Sequence, residues 1–237
     1  MFRGVNRQTI FEDDRDKERF LVSLARYKQK SGIELYAYCL MDNHVHMLVK
    51  ETEESISTFM KRLSSSYVYW YNTKYERCGH LFQERFNSEN VESDAYFKTV
   101  LRYIHQNPLN AHLVKSVWDS KWTSIHEYVN RANLVNIEKG LDLFSTDRCL
   151  ARQRFILYMQ ELREDQCLDV NEVVKFSDDQ VREYLRSNGI ICNSVLQQMD
   201  REERNVVLAK VKRIEGISIR QISRVTGISK SVIDRLK

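Results

Sequence analysis

Proline is nearly absent from this chain. Pro108 is the single example among 237 residues, and only seven glycines accompany it, so breaks between elements carry few marks and no low-complexity linker separates domains. No internal repeat is visible either. The five cysteines (Cys39, Cys78, Cys149, Cys167 and Cys192) are odd in number, scattered and without a Cys-x-x-Cys pair. That pattern excludes a disulfide framework and a zinc ribbon, and it points to a reducing cytoplasm. No apolar run approaches the roughly 18 residues that a membrane span needs, and the opening MFRGVNRQTI has no apolar signal-peptide core. The phosphate-binding pattern G-x-x-x-x-G-K-[ST] is also missing.

What is present is ordinary for a globular protein: 42% hydrophobic and 30% charged residues. The net charge of +4 is small, but its distribution is uneven. Residues 201–237 hold ten Lys and Arg against four Asp and Glu, so the preceding part is slightly acidic and the tail is basic. A basic terminal segment suits a polyanion, although a solvated helical surface has the same composition.

Spacing of apolar residues predicts a helix over 14–31, closed by Gly32, then two strands, IELYAYCLM and HVHMLVK, joined tightly at Asp42-Asn43. A long helix follows from Ser55 to about Tyr75, then an extended segment or hairpin over HLFQERFNSENV. Ser93 or Asp94 caps a further helix, expected to stop at Asn107 because the next residue is proline. This order is α+β around an antiparallel sheet. Beyond about residue 130 the pattern is helical, and GISIRQISRVTGISKSVIDRLK has a helix-turn-helix outline with its turn at Thr226-Gly227. The expected domains are 1–130, a helical connecting region 131–200, and a DNA-binding segment 201–237.

Within the second strand, His44 and His46 are two residues apart and so project from one face, with Val45 and Met47 on the other. Two neighbouring imidazoles form a natural chelate for a divalent metal, though an H-x-H pair is more often structural or superficial. In the helix that ends at Pro108, Phe97, Val100, Leu101 and Ile104 form the buried stripe, while Tyr103 and Asn107 lie one turn apart at its edge beside Tyr96. Lys98 and Arg102 are expected to face solvent. A phenol and an amide thus share a helix edge, and a boundary aromatic is the plain alternative in a chain with 12 tyrosines.

The stretches DNHVHMLVK, GHLFQERF and LRYIHQNPLNAHLV, in this order, resemble the single-tyrosine HUH transposases, in particular the REP-associated tyrosine transposases of the insertion-sequence group. The opening RGVNRQTIF fits as well. The resemblance spans roughly residues 2–130, and the tail resembles a helix-turn-helix that some members append. It implies a ferredoxin-like antiparallel sheet with flanking helices and an all-α C-terminal region. It further implies that His44, His46 and Asn107 bind Mg²⁺ or Mn²⁺ and that Tyr103 is the nucleophile. The implied activity is single-strand nicking and joining of DNA through a 5′-phosphotyrosine, at hairpins or palindromic repeats, by a monomer or homodimer.

The residue chemistry agrees. Free tyrosine ionises near pH 10 and is a poor nucleophile at neutral pH without a nearby cation. Two imidazoles and an amide leave the ion its full positive charge and open positions for phosphate oxygens. Arg3, Asn6, Arg7, Arg85 and Arg102 are candidates for contact with DNA, as are Ser229, Lys230, Ser231 and Arg235 through duplex binding by the tail. Lys61 and Arg62 are weaker ones. His80 reads as a structural or DNA-contacting residue, and His105 lies on the opposite flank from Tyr103. Family members have several strand residues before the RG-x-N-R motif, whereas this chain begins inside it. Either the true start lies upstream or the sheet lacks most of a central strand, and the chain as given is expected to be poorly stable. Two other functions fit less well: a DNA-binding regulator whose HUH domain is inactive, and a phosphodiesterase that uses water in place of Tyr103.

Overall fold

The computed structural model describes residues 1–83, 85–163, 165, 167, 178–190, 195–196, 199–214 and 217–236. They form two compact units, 1–168 and 169–237, each with its own apolar core. None of their helices is long and apolar enough to cross a membrane.

The first unit is built on three antiparallel strands, β1 (Phe2–Arg3), β2 (Glu34–Leu40) and β3 (His44–Lys50), in the order β1-β3-β2. Helix α1 (Asp14–Ser31) connects β1 to β2. It starts at a capping box between Asp13 and Asp16 and ends at Gly32, whose φ of 67° suits a residue without a Cβ. Helix α2 (Ile56–Lys74) follows β3, and α3 (Asp94–Asn110) carries the LRYIHQN stretch. This is the small antiparallel sheet with flanking helices that the element order predicts.

β1 is only two residues long, yet it is bordered on both sides. It pairs with β3 at Val45 and His44. On its other side Val5 N–H donates to Leu81 O, Gln83 N–H to Arg3 O and Asn87 N–H to Met1 O. The segment expected to be extended over 80–91 thus runs beside the first strand. Phe2, opposite Val45, stacks on Phe82 at 4.8 Å between ring centroids, and Phe82 lies against Tyr67 of α2. Those aromatic rings tie the short strand into the core.

A β-bulge between Leu35 and Ala37 leaves Tyr36 as the extra residue of β2, and its ring meets Phe97 of α3 edge to face. Helix α3 does not stop at Asn107. It continues through Pro108 to Asn110, although proline removes one helical donor and disfavours helix before it. Tertiary anchoring outweighs that local cost. Buried Gln106 donates from Nε2 to the carbonyls of Met159 and Glu161, both at 2.8 Å.

Short helices α4 (Ile125–Val129) and α5 (Glu138–Asp142) and the longer α6 (Arg148–Gln160) complete the first unit. Ala151, Phe155 and Met159 of α6 belong to its core, so α6 packs with the sheet domain. In the second unit α7 (Asp178–Ser187), α8 (Arg201–Lys212), α9 (Ile219–Thr226) and α10 (Lys230–Asp234) surround Val181, Leu185, Leu208, Val211, Ile222, Val225 and Ile233. Gly227 turns the chain between α9 and α10 with φ 74°.

His105 of α3 is wholly enclosed, with Nε2 at 2.9 Å from Ser124 Oγ and its ring near Tyr128 and Phe155. Burial, helped by His126, pushes its pKa down to about 3. An unfolded histidine titrates near pH 6.5, so as the pH falls the unfolded chain takes up this proton first. The stability due to neutral His105 is complete above about pH 6.5 and falls by about 1.4 kcal/mol per unit towards pH 3. Urea midpoints measured from pH 7 to 4.5 should therefore fall less steeply in His105→Leu than in the wild type. Equal slopes would contradict this assignment.

Candidate active site

The period of β3 sets the site. His44 and His46 lie on one face with ring centroids 4.8 Å apart and planes at 87°. The ring of Tyr103 meets His46 edge to face at 5.5 Å. His46 and Tyr103 are buried, at 3% and 8% exposure, while His44 is half-buried. Asn107 follows one turn after Tyr103 on α3 and is also half-buried. The structure therefore brings together the imidazole pair and the phenol, with the amide next along the same helix.

β1 adds a fourth neighbour. Arg3 pairs with His44 across the strands, and directly opposite residues share a face of the sheet. Beyond this pairing a cavity of about 470 Å³ runs along β3. His46 and Tyr103 line it together with Met1, Phe86, Asn87 and Lys139.

His44 is held from behind. Its Nδ1 is 2.6 Å from Asn43 Oδ1, and Asn43 Nδ2 donates to the carbonyl of Arg7 at 3.3 Å. Read from the sequence, Asn43 was only a turn residue; its place directly before a histidine in the turn was the available signal. An amide oxygen can only accept, so this contact calls for a proton on Nδ1, which in a neutral ring leaves the lone pair on Nε2. Two imidazoles on one strand face with an amide nearby fit a divalent ion with free positions for oxygen ligands. No cluster of three or more His, Cys, Asp or Glu exists among the described residues, so nothing there resembles a closed zinc cage.

The remaining candidates separate into two groups. Asn6 and Arg7 are exposed on the loop after β1, both at positive φ (51° and 60°), and Arg85 is exposed on the segment that borders β1. Lys61, Arg62 and His80 are exposed, and Arg62 pairs with Glu54 at 2.6 Å. Ser229, Lys230, Ser231 and Arg235 of the second unit are exposed at the start of α10 and just after it.

Arg102 requires a correction. It does not face solvent: it is 2% exposed, with Nε and Nη2 donating to the two oxygens of Asp165 at 2.7 and 2.8 Å. Glu161 lies near Nη1, and the guanidinium sits 4.2 Å from the Tyr158 ring centre. The end of α6 and the segment after it cover this side of α3, which leaves the guanidinium in an internal ion pair and not at a DNA-facing surface.

Residues 1–107 match the family model of IS200-like transposases. The matched span ends at Asn107, so it contains both histidines, Tyr103 and the amide, and it meets the resemblance that the motifs carry. A solved REP-associated tyrosine transposase bound to a REP hairpin is similar at 18% identity, over 58% of this chain and 80% of that one, with a TM-score of 0.48. Among curated proteins, none matches the chain.

Removing one partner of a buried, hydrogen-bonded ion pair strands the other charge, at a cost of about 3–5 kcal/mol. Arg102→Met should thus lower the urea midpoint strongly, whereas Arg85→Ala, at an exposed site, should change stability by at most about 0.5 kcal/mol. Equal effects would return Arg102 to the surface.

Proposed function

We propose that the protein is a metal-dependent endonuclease and strand transferase for single-stranded DNA, with Tyr103 as nucleophile. The observation that carries this reading is the meeting of Tyr103 with His46 beside His44 on one sheet face, inside the span that matches IS200-like transposases.

His44, His46 and Asn107 are the residues that would hold Mg²⁺ or Mn²⁺. Once bound, such an ion polarises a phosphate oxygen and offsets the charge that develops there. Tyr103 Oη gives up its proton and attacks the phosphorus, the bond to the 3′ oxygen breaks, and that oxygen takes up a proton in exchange and leaves as a free 3′-OH. The 5′ phosphate stays on Oη as a phosphotyrosine, and the reverse attack by a 3′-OH rejoins a strand. Bond energy is conserved in the ester, which agrees with the lack of a nucleotide-binding loop. Its rigid helix holds the phenol in place before the substrate arrives, so little ordering remains to be done at the reaction step.

Arg3, beside His44, is suited to a backbone phosphate near the reacting one. Asn6 and Arg7 on the loop after β1 and Arg85 on the segment that borders it are exposed and suited to extend that contact. Hairpins or palindromic repeats are the substrate class that the motif resemblance supports. The exposed Ser229, Lys230, Ser231 and Arg235, on a basic helix-turn-helix outline, are suited to duplex DNA.

Incubation with hairpin oligonucleotides bearing single-stranded flanks should give a covalent protein–DNA adduct with Mg²⁺ or Mn²⁺ and none with a chelator. Tyr103→Phe should reduce the adduct to background. Cleavage without an adduct, unaffected by Tyr103→Phe, would instead support a water-using phosphodiesterase. Duplex binding with no cleavage of any hairpin would support a regulator.

A further inference from the structure

We infer that Asn43 is the positioning residue of this site, fixing both the tautomer and the orientation of His44. This rests on reading His44 as a metal ligand, but the contacts that support it stand on their own.

An asparagine side chain has one end that only accepts hydrogen bonds and one that only donates. Here each end has a distinct partner. Nδ2 donates to Arg7 O at 3.3 Å, which sets the sense of the amide, and Oδ1 then faces His44 Nδ1 at 2.6 Å. His44 in its neutral form therefore carries its proton on Nδ1 and presents the Nε2 lone pair. A ligand histidine whose other nitrogen donates to a fixed oxygen is held in one ring orientation and is more basic.

The anchor for this amide is a loop shaped to supply it. Arg7 O sits in a stretch where Asn6 and Arg7 both take left-handed conformations, which side chains rarely adopt. Gly4 makes that path feasible: a Cβ there would lie 2.2 Å from Gln8 O. The same loop grips the β2–β3 turn from several sides. Gly4 N–H donates to Asn43 O, and Ile10 and Phe11 N–H both donate to Asp42 O, at 2.8–3.1 Å. A turn alone needs no amide, since Asp or Ser serves equally well there. The amide of Asn43 does both at once, donating to the Arg7 carbonyl and accepting from a histidine N–H.

Two substitutions separate the functions of the side chain. Asn43→Asp keeps the acceptor for His44 and loses the donor to Arg7, whereas Asn43→Ala loses both. The first readout is the His44 tautomer in metal-free, ¹⁵N-histidine-labelled protein at pH 8, by long-range ¹H–¹⁵N correlation. Wild type and Asn43→Asp should show the Nδ1–H form, and Asn43→Ala should lose it. The second readout is Mn²⁺ affinity by calorimetry without DNA. Asn43→Ala should bind about 10–100-fold more weakly, and Asn43→Asp at least as tightly as wild type.

An Nε2–H tautomer in wild type would overturn the inference. So would an Asn43→Ala protein with unchanged tautomer and affinity, or Asp and Ala variants weakened equally, which would put the Arg7 contact in control. If Asn43→Ala does not fold, the wild-type and Asp tautomers decide. A wild type that binds no Mn²⁺ would overturn the metal reading of the site, and the tautomer would still decide the role of Asn43.

Discussion

The register of β3 against its two neighbours is the constraint on which this site depends. Side chains on a strand alternate between faces, so a slip of one residue would send His44 and His46 to the face now occupied by Val45. On one edge Cys39 pairs with His46, and on the other Arg3 pairs with His44. The loop over residues 4–11 clamps the intervening turn through backbone hydrogen bonds to Asp42 and Asn43. With that register set, the imidazole pair faces α3 and Val45 and Phe2 face the aromatic cluster against α2.

Helix α3 supplies the second half of the geometry, and it does so because it is held on more than one side. Tyr103 faces the sheet, Phe97 meets the bulged Tyr36, and His105 reaches Ser124. On its far side Arg102 and Gln106 are bound by Asp165 and the end of α6. Tyr103 on such a helix has little freedom to move relative to the histidines, the preorganisation that the proposed reaction would need. The α6 region thus helps to fix the helix that carries Tyr103.

Local periodicity made much of this legible in the sequence. The two-residue spacing of His44 and His46 and the one-turn spacing of Tyr103 and Asn107 each imply a shared face, and the structure brings the histidine pair against Tyr103. Long-range partners were not legible. Arg102 looked solvent-facing because the carboxylate that binds it lies 63 residues later. Pro108 looked like a helix stop because Gln106 finds its carbonyls on α6. Val135, Ile137, Leu141, Ala151, Phe155 and Met159 belong to the core of the first unit, and helical periodicity alone does not show which residues outside their own segment they meet. Asn43 looked like a turn residue because the loop that orients it comes 36 residues earlier. The extended character of the stretch that borders β1 is legible in the sequence, but its pairing through Leu81, Gln83 and Asn87 is not.

Chemical mapping of the covalent adduct tests the central claim most directly. Trypsin cuts after Arg102 and after Lys115, so the peptide from Tyr103 to Lys115 contains a single tyrosine. After reaction with a hairpin substrate, nuclease trimming and digestion, mass spectrometry should find the 5′-phosphonucleotide on this peptide, on Tyr103. A nucleotide on any other tyrosine, or on no residue at all while the DNA is cleaved, would contradict the account.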